Sequence, residues 1–153
     1  MPDYTTATLR LADEDDVPAI RAVTRAAYAK WIPSIGREPL PMTVDYASVI
    51  RAHRFDLLEL ACELVALIET IPHPDHLWIE NLAVFPSRQG SGLGRRMLAH
   101  AQTIARSLGL PEIRLVTNRA FSSNIDFYLR AGFVIDREEP FRGGMSVYFR
   151  KMP

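Results

Sequence analysis

A glycine-rich segment between an apolar strand and a long helix constrains this chain most. Residues 76–85 are typical of a largely apolar strand, and the segment Gln89-Gly90-Ser91-Gly92-Leu93-Gly94 follows. Apolar residues then recur at helical spacing up to Gly109, where a left-handed C-cap residue belongs. Glycines let backbone amides approach a ligand, and a helix N-terminus attracts anions. The segment therefore predicts a phosphate-binding loop, and three arginines add positive charge around it: Arg88, Arg95 and Arg96.

Two common phosphate-binding motifs do not match this loop. Counted from Gly90, both the P-loop and the dinucleotide fingerprint need a glycine at position 95, which is Arg95. The pattern Gln/Arg-x-x-Gly-x-Gly/Ala does match, at Gln89, Gly92 and Gly94. A glycine-rich turn without a ligand is the alternative interpretation. A simple turn needs only one glycine, however, and each glycine lowers helix and strand propensity.

The other elements predict an α+β or mixed α/β sandwich with one layer of sheet. Asp13 and Asp16 stand at capping-box spacing before a first amphipathic helix, and Ser123 with Asp126 repeats that spacing. Proline and glycine interrupt residues 33–42, which predicts a loop. The expected strands cover residues 6–11, 55–60, 64–70, 76–85, 112–117, 133–136 and 146–152. The expected helices are one after Asp13, one at 43–53 with Thr43 as N-cap, one after the glycine loop and one at 124–131.

Composition narrows the possible functions. Lys and Arg total 18, as do Asp and Glu, so the strong basic field of a nucleic-acid or anionic-membrane binder is missing. Cys62 is the single cysteine and has no neighbour at zinc-ligand spacing, so we expect no disulfide, no metal and a reducing cytoplasm. The apolar stretches are too short to cross a bilayer. We expect one domain over residues 1–153, with neither nucleic acid nor membrane as partner.

Three segments, in order, resemble the landmarks of the GNAT family of N-acetyltransferases. They are the strand Glu80-Asn81-Leu82-Ala83-Val84, the glycine loop, and residues 124–133, and the resemblance covers nearly the whole chain. It implies the acyl-CoA N-acyltransferase fold, in which a mostly antiparallel sheet splays between its fourth and fifth strands and carries helices on both faces. It also implies acetyl-CoA as cosubstrate, a primary amine of a small molecule or peptide as acceptor, and a possible homodimer through edge strands.

The same resemblance assigns residues to the cofactor. The pyrophosphate would lie on the amides of the glycine loop, and the backbone of three residues in the preceding strand would pair with the pantetheine arm. The Leu82 N–H is a candidate to polarise the acetyl carbonyl, and Asn124 is a candidate to hydrogen-bond the pantetheine or phosphate region. The residues expected at the cofactor are Leu82, Ala83, Val84, Gln89, Gly90, Ser91, Gly92, Leu93, Gly94, Arg95 and Asn124.

Transfer to an amine requires a base, because an alkyl ammonium with a pKa near ~10 must lose a proton before it attacks. Glu80 is the candidate. Period-two alternation predicts its side chain on the same face as Leu82 and Val84, where burial would make the carboxylate more basic. Pairing with an arginine such as Arg21 or Arg114 is also open, and His76 is a reserve candidate for the base.

The departing thiolate requires a proton donor. Tyr128 lies one helical turn after Asn124 and resembles the family tyrosine that protonates the sulfur of coenzyme A. The alternative is a core aromatic between Ile125 and Leu129. Because Glu80 and Tyr128 are both present, the sequence favours an enzyme over a non-catalytic acyl-CoA sensor or partner subunit.

The acceptor is expected to enter beside the first two helices, where Tyr28, Trp31 and Arg37 would line a pocket. Aromatic walls with an arginine suit a small amine that bears a carboxylate. Asn118, at the end of the fifth strand, lines the same pocket or serves as a turn residue. Val116 occupies a position where the resemblance leads us to expect a tyrosine.

Overall fold

The structure, a computed structural model, describes residues 6–153 and forms one sheet with helices on both faces. The strands are β1 (Thr8–Leu11), β2 (Arg54–Leu60), β3 (Glu63–Pro72), β4 (Leu77–Val84), β5 (Ile113–Asn118), β6 (Val134–Phe141) and β7 (Gly144–Lys151). The helices are α1 (Val17–Tyr28), α2 (Ile32–Ile35), α3 (Tyr46–Val49), α4 (Leu93–Ser107) and α5 (Ser122–Arg130). The sheet order is β1-β2-β3-β4-β5-β7-β6, with β4 and β5 parallel and the other pairs antiparallel.

Two hydrophobic clusters hold α1 and α4 on opposite faces of the sheet. Ile20 and Val23 of α1 pack with Leu67 of β3, while Met97 and Ala101 of α4 pack in a second cluster with β3, β4 and β5. The start of α1 follows the sequence pattern, since a capping box of Asp13 with Asp16 and a proline in the first turn lead into it. The predicted sandwich is confirmed.

β4 and β5 separate after a short parallel contact. The pairing joins Leu77 with Ile113 and Trp78 with Arg114, and within the described residues it goes no further. β5 pairs along its whole length with β7 instead. The expected splay between the fourth and fifth strands is therefore confirmed, and it leaves the β5-facing edge of β4 without a strand partner from Ile79 onward.

β4 contains a β-bulge at Glu80. Thr70 of β3 pairs with Ile79, while Glu69, the residue before Thr70, pairs with Asn81. Glu80 is thus an additional residue in the ladder, which bends the strand and breaks the regular alternation of side chains.

The bulge changes which residues of β4 face each helix. Ile79 packs in the cluster beneath α4, whereas Ala83 packs against α1. Leu82 and Val84 lie on the α4 side. Regular alternation would have put Glu80 with them, so the predicted face is wrong, and Glu80 lines a cavity on the α1 side.

The predicted helix at 43–53 is only one turn long. Asp45 caps α3 by accepting a bond from the amide of Ala47, whereas the hydroxyl of Thr43 donates to the carbonyl of Leu40. Thr43 is therefore not the N-cap. Residues 50–53 form turns that bring His53 to the start of β2.

Two further boundaries differ from the prediction. α5 begins at Ser122 without a side-chain cap, so the predicted capping box of Ser123 with Asp126 is wrong. The buried Phe121, which stacks on Trp31 at 4.9 Å, anchors this helix start. β6 and β7 are longer than predicted because a tight turn at residues 142–143 with positive φ joins them directly.

The predicted loop at 33–42 contains the end of α2 and a 3-10 turn (Leu40–Met42). Gly36 ends α2 with a φ of 70°. Over residues 6–153, no helix is both apolar and long enough to cross a membrane.

Candidate active site

Two glycines of the loop are each required for a different steric reason. Gly92 is the N-cap of α4 with a φ of 91°, a conformation that side-chain-bearing residues rarely adopt. Gly94 has a helical backbone, but a Cβ there would lie 3.0 Å from Cζ of Phe127 on α5. The first glycine shapes the turn and the other lets α5 approach α4, so the loop is more than a simple chain reversal.

A cleft of about 460 Å³, here called the loop cleft, lies beside this loop between β4 and α5. The structure brings eight of the predicted cofactor residues and the predicted proton donor together around it: Leu82, Val84, Gln89, Gly90, Gly92, Gly94, Arg95, Asn124 and Tyr128.

Three other predicted cofactor residues turn their side chains away from the loop cleft. Ala83 packs against α1, and Leu93 is buried in the core beneath α4. The hydroxyl of Ser91 donates to the carbonyl of Arg88. Only the backbone of these residues is available to a cofactor, and that role stays a prediction.

A short network of hydrogen bonds borders the loop cleft. Gln89 Nε2 donates to the carbonyl of Val84 at 3.0 Å, and Lys30 Nζ donates to Gln89 Oε1 at 2.9 Å. The hydroxyl of Tyr28 donates to the carbonyl of Leu82 at 3.4 Å. Lys30 was not among the predicted residues, because an exposed lysine in the turn after α1 carries no sequence signal of its own.

Tyr128 is both a core residue and a lining residue of the loop cleft. It is 8% exposed, and its ring lies 5.6 Å from the rings of both Phe133 and Phe149. Burial raises the pKa of the Tyr128 hydroxyl above its ordinary value, so the phenol stays protonated at neutral pH. The two sequence-based interpretations of this residue are therefore compatible.

A second cavity of about 450 Å³ lies on the α1 side of β4 and is here called the glutamate cavity, after Glu69 and Glu80 in its lining. Three of the predicted acceptor residues line it: Tyr28, Arg37 and Asn118. Trp31 does not. It lines the loop cleft and stacks on Phe121, so its predicted place at the acceptor is wrong.

Glu80 is exposed, contrary to the burial expected for it. Its Oε2 accepts a bond from Trp78 Nε1 at 2.8 Å. Arg114 pairs with Glu112 and Asp75 instead, and no arginine among residues 6–153 forms an ion pair with Glu80. The alternative interpretation, that Glu80 forms a structural ion pair with an arginine, is therefore wrong. The expectation that burial would make the Glu80 carboxylate more basic is wrong as well.

His76 lies away from both cavities. Its Nδ1 contacts Asp75 Oδ1 at 2.8 Å, and its ring stacks on His73. Its proposed reserve role as the base therefore has no geometric support. In the described part of the chain, no group of three or more His, Cys, Asp or Glu side chains is arranged to hold a metal ion.

Sequence reasoning missed Glu69 and His53. Glu69 is 2% exposed, and its Oε2 lies 2.6 Å from His53 Nδ1. Burial raises the pKa of Glu69, the charge of Glu80 adds to that rise, and the contact with His53 opposes it. A glutamate inside the apolar run of β3 was the available signal.

A model of the acetyltransferase (GNAT) family matches residues 20–133 of the chain. The chain belongs to the GNAT acetyltransferase family. Its splayed sheet and glycine loop agree with that membership, and acyl transfer is the activity that the family supports.

Solved GNAT-type structures share the fold. A protein from Desulfovibrio desulfuricans described as a GNAT-family acetyltransferase superposes with a TM-score of 0.81 at 21% identity, covering 96% of this chain and 99% of its own. PaiA N-acetyltransferase from Thermoplasma acidophilum, solved with coenzyme A, gives 0.80 at 18% identity, with 97% and 100% coverage. The ribosomal-protein-S18-alanine N-acetyltransferase from Escherichia coli gives 0.78 at 21% identity, with 96% and 94% coverage. No curated protein matches the chain in sequence.

Proposed function

We propose that this GNAT protein transfers an acetyl group from acetyl-CoA directly to a primary amine of a small molecule or peptide. The observation that carries the proposal is the position of β4 between two cavities. The loop cleft suits a coenzyme, the glutamate cavity suits an amine, and Tyr28 lines both.

The residues around the loop cleft fit acetyl-CoA. The start of the 15-residue helix α4 offers unpaired backbone amides and a positive dipole end to a pyrophosphate, with Arg95 beside it. The unpaired edge of β4 suits an extended pantetheine arm. Acetyl-CoA, when bound, supplies the activated acetyl group.

The chain's own residues would then carry out three tasks. Glu80, in the glutamate cavity, accepts a proton from the acceptor ammonium. The Leu82 N–H donates to the acetyl oxygen as negative charge develops on it. Tyr128, whose raised pKa keeps its hydroxyl protonated, donates to the departing sulfur.

Replacing Glu80 with glutamine is expected to lower kcat/KM for an alkylamine about 10- to 100-fold at neutral pH. This loss in kcat/KM should be smaller than the loss expected for a buried base, because solvent reaches the exposed Glu80 and a water molecule replaces the carboxylate in part. It should shrink as the pH approaches the amine pKa near ~10. Thiol release measured with a panel of amines, amino acids and short peptides tests this.

Glu63→Gln is the control for this prediction, because Glu63 is an exposed glutamate in the β2–β3 hairpin. An unchanged rate in Glu80→Gln would contradict the assignment of Glu80 as the base.

The acceptor class proposed here is an amine that also bears a carboxylate. Arg37 lines the glutamate cavity, and in the part of the chain that the structure describes its guanidinium forms no ion pair. An arginine that, within residues 6–153, donates only to the carbonyl of Glu38 and lines an aromatic-walled cavity suits a carboxylate, since hydrogen bonds to charged groups contribute about 1.5–3 kcal/mol.

Replacing Arg37 with glutamine is therefore expected to raise KM about 10-fold or more for an amino acid and to leave the matching decarboxylated amine almost unaffected. Steady-state kinetics with such substrate pairs measure the difference. Arg25→Gln is the control, because Arg25 pairs with Glu38 outside the cavity. Equal effects on both members of a pair contradict the proposed acceptor class.

A non-catalytic acyl-CoA sensor remains the competing function. It predicts a heat of binding with acetyl-CoA but no thiol release with any amine. Glu80 and Tyr128, each lining a different one of the two cavities, favour the enzyme.

A further inference from the structure

We infer that Glu69, supported by His53 and Asn81, is the recognition site for the charged ammonium group of the acceptor. This deepens the proposed function, because it names the side chains of the glutamate cavity that would select an alkyl ammonium over an uncharged group. Glu69 binds the ammonium directly in this scheme, and Glu80 keeps the task of accepting the proton.

The geometry of the sheet brings these groups together. Glu69 and Asn81 are direct partners in the β3–β4 ladder, and side chains of directly paired residues lie on the same face about 4.5–5.5 Å apart at Cβ. The bulge adds Glu80 to the same side, and Glu69, Asn81, Glu80 and His53 all line the glutamate cavity. The side chains of two glutamates and one asparagine therefore line one cavity.

Asn81 supplies a hydrogen-bond acceptor without a partner. The hydroxyl of Tyr46 donates to the carbonyl of Pro41 at 2.7 Å, so it can only accept from Asn81, at 3.4 Å. This fixes Nδ2 of Asn81 toward Tyr46 and Thr24. Asn81 Oδ1 is left buried with no partner in the described residues. A buried orphan acceptor is costly, and an N–H donor in the cavity would satisfy it.

The charges around Glu69 also favour a cationic ligand. Glu80 on β4 and His53 before β2 face it, together with Tyr28 on α1 and Tyr46 on α3, and Arg37 lines the same cavity. Burial raises the pKa of both tyrosines, so they are neutral. No lysine or arginine among residues 6–153 pairs with Glu69 or Glu80. An ammonium between the two carboxylates would relieve their mutual repulsion.

The proton balance of the scheme is simple. The ammonium donates one N–H to the Glu69 carboxylate and a second N–H to Asn81 Oδ1. This arrangement directs the third N–H of the ammonium at Glu80. Loss of that proton to Glu80 leaves the nitrogen lone pair free to attack the acetyl carbon. As the N–C bond forms and the C–S bond breaks, the sulfur would take a proton from Tyr128, and the second proton that the nitrogen loses would restore the Tyr128 hydroxyl. The 2.6 Å contact with His53 Nδ1 favours the ionised form of the Glu69 carboxylate and partly offsets the effect of burial on its pKa.

The scheme has a matched control within the same fold. Asp56 is 3% exposed, and its Oδ1 lies 2.8 Å from His100 Nε2. This second buried carboxylate–imidazole pair joins β2 to α4 and lines neither cavity. Asp56 also accepts bonds from Arg54 at both carboxylate oxygens. Asp56→Asn therefore disturbs at least as many polar contacts as Glu69→Gln, but only Glu69 faces the proposed ligand.

The test measures binding of benzylammonium and of its uncharged isostere benzyl alcohol by calorimetry, with coenzyme A present. We expect the wild-type protein to prefer benzylammonium. Glu69→Gln should weaken benzylammonium binding about 10- to 100-fold and leave benzyl alcohol unchanged, because a charge-assisted bond is lost. Asp56→Asn should keep the wild-type preference. A wild-type protein without this preference, or equal losses in Glu69→Gln and Asp56→Asn, overturns the inference.

The pH dependence gives a second readout that survives if Glu69→Gln fails to fold. Because the raised pKa of Glu69 belongs to an acid, the carboxylate is ionised only above it, so benzylammonium binding should strengthen as the pH rises through that value. His53→Ala removes a contact that lowers this pKa, and the transition should move to higher pH. An unmoved transition in His53→Ala counts against the inference. Binding preference without thiol release from any amine would refute the proposed transferase and leave this inference standing.

Discussion

Replacing Gly92 with valine is expected to weaken acetyl-CoA binding by a factor of about 100 or more while the protein stays folded. At a φ of 91°, a β-branched residue incurs a strain of about 1–3 kcal/mol. No atom lies within 4 Å of the position a Cβ would take. The new side chain therefore meets open space at the loop cleft, where it would exclude the pyrophosphate.

Gly109→Val is the control for this prediction. Gly109 follows the other end of α4 with a φ of 68°, its Cβ position is equally open, and it lines neither cavity. Both variants should lose similar thermal stability, and only Gly92→Val should lose the heat of binding with acetyl-CoA. Equal binding by the two variants would mean that the loop does not hold the cofactor.

Replacing Tyr128 with phenylalanine is expected to lower kcat about 10²- to 10⁴-fold, the range by which a positioned acid contributes to a proton transfer. The ring contacts with Phe133 and Phe149 do not involve the hydroxyl, so the melting temperature should hardly change. KM for acetyl-CoA should also stay close to that of the wild type.

Steady-state thiol release measures this effect, and Thr103→Val is its control. The hydroxyl of Thr103 donates to the carbonyl of Ala99 on the exposed face of α4 and lines neither cavity, so its loss should leave kcat near the wild-type value. If Tyr128→Phe turns over as fast as Thr103→Val, the proton reaches the sulfur by another route.

The sequence predicted well which residues meet at the loop cleft, because local rules govern that part of the chain. A strand, a glycine loop and a helix are continuous in the chain, so spacing alone brought Gln89, Gly92 and Arg95 to one cleft. The splay beyond Trp78 followed from the family resemblance and is confirmed. Packing overrode local patterns at the ends of elements, as at α5, where buried Phe121 precedes the first turn in place of the predicted Ser123 cap.

The acceptor side was harder to predict because it depends on register between strands. Period two applies only to an unbroken ladder, and the additional residue at Glu80 altered every facing downstream of it. The contact of Glu69 with His53 joins residues from two separate elements. No local spacing encodes such a contact, so the sequence offered only a polar residue in an apolar strand.

The bulge in β4 makes strand length, as well as residue identity, a determinant of function. A one-residue deletion at Glu80 would restore an even ladder with β3, because Asn81 would then follow Ile79 directly and keep Glu69 as its partner. Asn81, Leu82 and the later side chains would keep their faces, so the core layers would be retained. The deletion would remove the carboxylate of Glu80 together with the bend of the strand, and would thus separate proton transfer from amine recognition in a single change.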